Sequence, residues 1–322
     1  MSVAGGPQVD SRSLTAASNQ IPHINAEQHL HNISNFNFNI TTTRMTDSPD
    51  KTYIHGYHPS VLSSHSWRTL QNSASYLLPH LEPYKSSSSP LTILDAGCGP
   101  GTITCDIAAH LPHAQVTGID YVLQQTCTPL AASRALTNVT FQQADIFALP
   151  FPSASFDIIH LHQVLQHLPT PPTAAIAELI RVCKPSGIIA AREADFGAFS
   201  WFPESRGLEK WQETYIATAT STGGDPLAGK KLHRWFMDAG IPRCDISCTS
   251  SCWTYSTPEE RAWWGNMWAE RTLKSEFRAK AVKNGVSEEE LKEISAAWTD
   301  WAAQEDGWIM IPSGEVVVKV HK

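Results

Sequence analysis

Charge is scarce and unclustered in this chain. Only 17% of the 322 residues are Asp, Glu, Lys or Arg, the net charge is −7, and no basic stripe runs along any segment. A nucleic-acid partner is therefore not expected. No run approaches the ~20 consecutive apolar residues that cross a bilayer as a helix, so no membrane partner is expected either. A basic N-terminal segment followed by an apolar one is also missing, which leaves a cytoplasmic location as the expectation. The seven cysteines are an odd number with no C-x-x-C pair. That disfavours a disulfide framework and points to reduced thiols. Cys244, Cys248 and Cys252 recur every fourth residue, which in a strand puts all three on one face. Packing into the core is the use expected of them, ahead of metal binding.

A hydrophobic content of 42% is enough to bury the core of one large domain, or of a domain with a lid. Residues 1–50 are rich in Ser, Asn and Thr without periodicity and are expected to be a disordered extension. Met45 stands just before more ordered-looking sequence and is an alternative start to Met1. Residues 51–90 read as a helical cap and linker. A helix is expected over 60–81, with Val61, Leu62, Trp67, Leu70, Tyr76 and Leu77 as buried positions. Strands follow at 91–96, 115–120, 139–143, 156–161 and 187–193, separated by helices at 103–110, about 131–136 and 173–182. Such alternation predicts a parallel, doubly wound α/β sheet.

Composition shifts after about residue 196, and ten of the eleven tryptophans lie between 201 and 308. A strand is expected at 244–255, helices at 259–283 and 287–304, and a final strand at 315–320. The second helix opens with a Ser287-x-x-Glu290 capping box. The core is thus assigned to residues 91–256 and its last strand to 307–322, with 257–306 inserted as a helical lid over the active-site mouth.

The densest signal is Ile93-Leu94-Asp95-Ala96-Gly97-Cys98-Gly99-Pro100-Gly101. An apolar strand runs into an acid and then into three glycines on alternate positions. Glycines admit positive φ and let backbone approach a ligand without a Cβ in the way. The turn is no phosphate cradle, because Thr102-Ile103 follows where Lys-Ser/Thr would stand. Nor is it the G-x-G-x-x-G of dinucleotide sites. The Asp95 carboxylate would repel a pyrophosphate but suit a ligand with an ammonium.

Open parallel sheets bind ligands at the carboxyl ends of their strands. Asp120, with Tyr121 after it, ends the second expected strand and can accept both hydroxyls of a ribose. Asp145 can accept from an adenine amino group while Ile146 holds the ring. After the fourth strand comes His160-Leu161-His162-Gln163-Val164-Leu165-Gln166-His167, in which alternation puts His160 and His162 on one face. Glu193 and Asp195 end the fifth strand at the same rim. His162, His167 and Glu193 are the general-base candidates, with backbone-bonded or core roles as the alternative.

Together these segments, over roughly 90–195, resemble the class I S-adenosylmethionine (SAM)-dependent methyltransferases of the UbiE-like branch. Pro185-Ser186-Gly187 departs from the usual Pro-Gly-Gly of that family. Tyr53-Ile54-His55-Gly56-Tyr57, Ser66-Trp67-Arg68-Thr69 and the closing Gly307-Trp308 through Gly314-Glu315-Val316 are similar to fungal small-molecule methyltransferases.

The resemblance implies a Rossmann-like, seven-stranded sheet with an N-terminal helix and a helical lid. It implies SAM as cofactor, held by Asp95, Gly97, Cys98, Gly99, Gly101, Asp120, Tyr121, Asp145, Ile146 and His162. By the same logic Tyr53 or Tyr57 covers the cofactor and Arg68 approaches its carboxylate. The acceptor would be a small molecule methylated at O, N or S, in fungal secondary metabolism, with no metal and with monomer and homodimer both open. Most tryptophans are expected to pack the lid and one or two to face substrate. A quinone C-methyltransferase, a non-catalytic SAM-binding protein and a nicotinamide oxidoreductase stand as rivals.

Overall fold

Apolar runs bounded by turn residues form five parallel strands: β1 (Leu91–Ala96), β2 (Ala114–Asp120), β3 (Val139–Gln143), β4 (Phe156–His162) and β5 (Cys183–Ala194). The computed structural model describes residues 53–56, 58–86 and 90–321. The expectations for residues 1–50, for the start at Met45 and for Tyr57 lie outside the described residues. The helices α1 (Pro59–Ser66), α2 (Leu70–Ser73) and α3 (Leu78–Leu81) precede β1. Between strands come α4 (Thr102–His110), α5 (Cys127–Ser133) and α6 (Thr173–Val182). After β5 the chain forms β6 (Ser200–Phe202), α7 (Arg206–Ser221), α8 (Leu232–Asp238) and β7 (Ile246–Tyr255). It then forms α9 (Pro258–Lys274), α10 (Glu276–Lys283), α11 (Glu288–Ala303) and β8 (Trp308–Lys319).

The sheet runs β3-β2-β1-β4-β5-β8, with β7 on the far side of β8. β8 is antiparallel to both β5 and β7. Its first residues pair with β6, which continues the line of β5. The sheet therefore has eight strands, not seven. The extra one is only three residues long, Ser200–Phe202, too short for any alternation to reveal.

β1 and β4 are buried almost throughout, as expected of strands covered on both faces. On one face α6 and α8 pack Ile176, Leu179, Trp235 and Phe236 against the sheet. On the other, α4 supplies Ile103, Ile107 and Ala108. A third apolar cluster joins Trp211 and Tyr215 of α7, Trp264 and Trp268 of α9, Phe277 of α10 and Trp298 of α11.

The expected helix over 60–81 is broken. α1 ends at Ser66, and Thr69 starts α2 through a capping box with Asn72. At the break Trp67, the C-cap of α1, packs against the Trp253 and Tyr255 rings, and Arg68 bonds to Gln163. The expected helix at 259–283 is also two. Ser275 is extended at φ −87°, ψ 176°, and its hydroxyl accepts from Phe277 N to start α10. The Ser287/Glu290 capping box forms as read.

Cys244, Cys248 and Cys252 are all exposed, which corrects the expectation that they pack in the core. β7 is an edge strand whose buried residues are Ile246, Trp253 and Tyr255. Among the described residues no His, Cys, Asp or Glu cluster could hold a metal ion. Among the same residues no helix is long and apolar enough to cross a membrane.

Candidate active site

The glycine turn joins β1 to α4 with Gly97, Gly99 and Gly101 at φ 78°, 51° and 83°. Gly97 N and Cys98 N both donate to Ile119 O, at 2.8 and 2.9 Å, so the turn is tied to the end of β2. A Cβ at Gly97 would lie 2.3 Å from Val164 Cγ2, and one at Gly101 3.0 Å from the Phe141 ring. Those two glycines answer to the chain itself. A Cβ at Gly99 would meet nothing within 4 Å, so its backbone borders open space. Cys98 is buried, with its thiol pushed up by the neighbouring Cys127 and by burial. Only the backbone of Cys98 can face a ligand.

Asp95 is buried, and both its oxygens are engaged within the protein. Thr104 Oγ1 donates at 2.5 Å and His160 Nδ1 lies 2.7 Å away. Asp95 thus braces the turn from within. His160, the register partner of Asp95 on β4, is the other half of that brace.

Asp120 is half-buried at the end of β2 and accepts from Gly99 N at 2.8 Å and from Val122 N at 3.1 Å. Burial pushes its carboxyl up, against the pull of those backbone N–H groups. A carboxylate has about four acceptor sites, so capacity for two hydroxyls remains. Asp145 is exposed, and its Oδ1 accepts from Phe147 N at 2.9 Å. Ile146 packs half-buried against the core.

Tyr121, Val122 and Phe147 are 41%, 37% and 40% exposed. These three apolar side chains follow adjacent strand ends, where Ala144 N bonds to Asp120 O. Exposed apolar surface at one rim marks a place for a ligand. Val122 and Phe147 were not foreseen, although each follows a strand-end acid by two residues. An open glycine turn, a carboxylate and an apolar rim fit an adenosyl group carried by an amino acid.

Beyond β4 the chain turns through Gln163 at φ 53°, one of four non-glycine residues with positive φ among the described residues. Non-glycine residues pay strain in that region, and such residues gather at functional sites. Glu193 holds the turn from β5. Its carboxylate accepts from Val164 N, Leu165 N and Gln166 N at 2.9, 2.8 and 3.3 Å. Burial raises its pKa to about 7 in spite of those bonds. Asp195 pairs with Lys230 at 3.2 Å and accepts from Gly197 N. Neither acid borders the cavity described next, and Glu193 braces the turn.

His162 is buried, and its Nε2 lies 2.9 Å from Arg192 Nη1. Arginine only donates, so Nε2 is the acceptor and the ring is neutral. Burial, Arg68 and Arg192 all push its pKa well down. The register row His162–Arg192–Glu315–Thr249 crosses four strands as a polar ladder. Arg192 Nε lies 3.4 Å from Glu315, whose other oxygen accepts from Thr249 Oγ1 at 2.8 Å. The guanidinium also sits 4.5 Å over the Trp253 ring. His162 does not border the cavity either, and its base lone pair is already engaged.

The cavity itself lies between the Gln163–His167 turn, α1, α9 and the ends of β7 and β8. Trp67, Trp253, Trp264 and Trp268 line it, more than the one or two tryptophans expected. Of the sequence candidates, Arg68 and His167 border it. Arg68 Nη2 donates to Gln163 Oε1 at 2.6 Å. The His167 ring meets Tyr53 edge-on at 4.9 Å. Burial, Arg68 and Lys280 hold His167 at about 3, so it is neutral at pH 7. Tyr53 is fastened by its carbonyl, which accepts from Lys280 Nζ of α10. Arg271 of α9 also lines the cavity and was not foreseen; nothing in its helical spacing separates it from a surface arginine.

A methyltransferase-domain family model matches residues 87–240. An uncharacterised methyltransferase of Schizosaccharomyces pombe, C1B3.06c, is 30% identical over 276 residues, 83% of this chain and 96% of its own. A probable methyltransferase of Aspergillus luteorubrus, ltbC, is 28% identical over 275 residues, 80% of this chain and 93% of its own. The N-methyltransferase tcpN of Claviceps purpurea is 30% identical over 167 residues, 50% of this chain and 58% of its own.

Proposed function

The chain belongs to the class I SAM-dependent methyltransferases, enzymes that use SAM as methyl donor, and on that premise we propose that its acceptor is a small molecule methylated at O, N or S inside the tryptophan-lined cavity. Membership in that family removes the nicotinamide oxidoreductase reading. The observation that carries the proposal is the tryptophan-lined cavity built against the Gln163–His167 turn. A concave site lined mainly by aromatic side chains with a few polar groups converging on it suits a small molecule. The fungal relatives, one of them named an N-methyltransferase, support a heteroatom acceptor in fungal secondary metabolism.

SAM supplies a methyl group already activated on a sulfonium. The chain's own residues then have to bind, orient and exclude water. We assign the open backbone at Gly99 to the amino-acid end of the donor and Asp120 to its ribose hydroxyls. Tyr121, Val122, Asp145, Ile146 and Phe147 are assigned to its adenine, and Arg68 and Tyr53 to covering its carboxylate end. Aromatic faces favour a cationic donor by ~0.5–2 kcal/mol each. Orientation of donor and acceptor can contribute ~7–11 kcal/mol to lowering the barrier.

His167, held at about 3, is a weak base. That favours an acceptor needing little help to lose its proton, such as a thiol. A free thiol ionises near pH 8.5 without assistance.

Incubating the purified protein with methyl-labelled SAM and a small-molecule fungal extract tests the reading. The expected result is a labelled small molecule bearing one methyl on a heteroatom, identified by mass spectrometry. Label on a ring carbon would establish quinone-type C-methylation instead, and label in protein alone would overturn the small-molecule reading.

A further inference from the structure

The cavity holds more positive charge than the protein neutralises. Arg271 is 4% exposed and projects from α9 into the cavity wall. Its Nη2 donates to Ser60 O at 3.2 Å and to Ser64 Oγ at 2.6 Å, and its guanidinium lies 4.6 Å over the Trp268 ring. Its Nε–H has no partner at all. Arg68, on the same cavity, also has a buried Nε–H without a partner. Among the described residues neither arginine forms an ion pair. Arg192, equally buried a few residues from the same wall, does have its carboxylate in Glu315.

Removing a guanidinium from water is costly unless an anion and further acceptors compensate. Neutral partners and one aromatic face compensate only part of it. Glu193, which does not border the cavity, is already engaged by three backbone N–H groups. The histidines around the cavity, His55, His65 and His167, are held neutral by burial and by these arginines, and add no negative charge. Burial and mutual repulsion push Arg68 down to about 10, and burial does the same to Arg271. Both stay charged at neutral pH.

Two guanidinium groups thus await two anions. One is the carboxylate of the donor, assigned above to Arg68, whose contact with Gln163 places it at the turn after β4. We propose that the other is the methyl acceptor itself: an aromatic carboxylic acid whose carboxylate is held by Arg271 and whose ring lies among Trp67, Trp253, Trp264 and Trp268. A singly charged planar carboxylate suits Arg271 better than a phosphate does. Its Nη2 is already engaged by Ser60 and Ser64, so it offers the ligand one cation with a few free N–H groups rather than a cluster of cations. The proposal rests on the small-molecule reading and adds the acceptor's charge class to it.

The test uses matched pairs of probes: benzoate, phenylacetate, indole-3-acetate and 1-naphthoate, each against its own primary amide. The full-length protein is loaded with S-adenosylhomocysteine, and binding is read by quenching of tryptophan fluorescence. At least one carboxylate should bind ten or more times tighter than its amide, and Arg271→Gln should reduce that preference to less than threefold. Glutamine can still donate to Ser60 O, and Arg271→Lys, which keeps the charge, should retain most of the preference. Amides binding as well as acids, failure of all four acids to bind, or a preference that survives in folded Arg271→Gln would each overturn the proposal. Should Arg271→Gln not fold, the wild-type acid–amide comparison still decides. The labelling experiment above separates the two readings. A labelled product without a carboxylate overturns this inference alone, whereas no labelled small molecule at all overturns the reading beneath it.

Discussion

His162 Nε2 and Arg192 Nη1 lie 2.9 Å apart on neighbouring strands, and an arginine can only donate. The imidazole must therefore stay neutral in the folded protein. The same holds for His55 and His65, pushed well below their ordinary value of 6.5, and for His167, held at about 3. When the chain unfolds, each regains its ordinary affinity for a proton. The unfolded state then binds more protons below about pH 6.5, so stability falls as pH drops through that value. Each such histidine contributes a slope of about 1.4 kcal/mol per pH unit. Glu193 acts the other way. Its folded pKa of about 7 stands above its ordinary 4.5, so it adds stability at low pH that is lost as pH rises through 7. Four histidines outweigh one carboxyl. Thermal melts between pH 7.5 and 5.5 should show a falling Tm with net proton uptake on unfolding; a flat or rising Tm would contradict these assignments.

Asp120→Ala should weaken SAM binding by ~10–100-fold, the scale of a lost hydrogen bond to a charged group. Saturated turnover should change much less, because the ribose is remote from the transferred methyl. Calorimetric titration with SAM, alongside kcat at saturating SAM, checks it. Unchanged affinity would remove the ribose assignment.

Gly97→Ala and Gly99→Ala should fail in different ways. Both have φ above 50°, which costs a Cβ-bearing residue ~1–2 kcal/mol. At Gly97 the new methyl also collides with Val164, so the loss should appear mainly as a lower Tm. At Gly99 the methyl enters open space, so the fold should lose only that ~1–2 kcal/mol backbone cost while SAM affinity drops. Equal SAM affinity in Gly99→Ala and wild type would mean that this space is not the donor's.

His167→Ala should lower kcat less than ~10-fold and leave the shape of the pH–rate profile unchanged between pH 5 and 8. General-base catalysis contributes ~10²–10⁴-fold when it operates. A histidine with a pKa near 3 supplies little of that. An ionisation in that range that vanishes in the variant would show that His167 is the base after all.

Glu193→Gln should cost stability, ~1–3 kcal/mol, because its amide group presents N–H to a backbone N–H at the turn it braces. Urea unfolding measures it. Undiminished stability together with lost turnover would return Glu193 to the list of bases.

Much of this molecule is legible locally. The glycine spacing after Leu91–Ala96, the strand-end acids Asp120 and Asp145, and the alternation of strands and helices each depend on residues a few places apart. Backbone sterics and burial periodicity act on that scale, so the order and type of the first five strands and the donor's identity follow from it. Other features escaped. The face that β7 turns outward depends on its being an edge strand, so Cys248 and Cys252 look like core residues until β8 is found beside only one of its sides. α7 carries three threonines and bulky aromatics of modest helix propensity, and its burial partners lie on α9 and α11.

The roles within the site divide along the same line. That Asp95, His162 and Glu193 sit at strand ends is local. That they are bonded inside the protein to Thr104 and His160, to Arg192, and to three backbone N–H groups is set by partners 9 to 65 positions away. The choice of acceptor is more distant still. Arg271 and Trp268 reach the Gln163–His167 turn only because α9 folds back over α1, more than two hundred residues earlier in the chain, as the Arg271 bond to Ser64 records. Short-range sterics wrote the donor site into consecutive residues, whereas the charge and shape of the acceptor cavity exist only once those distant segments pack and exclude water.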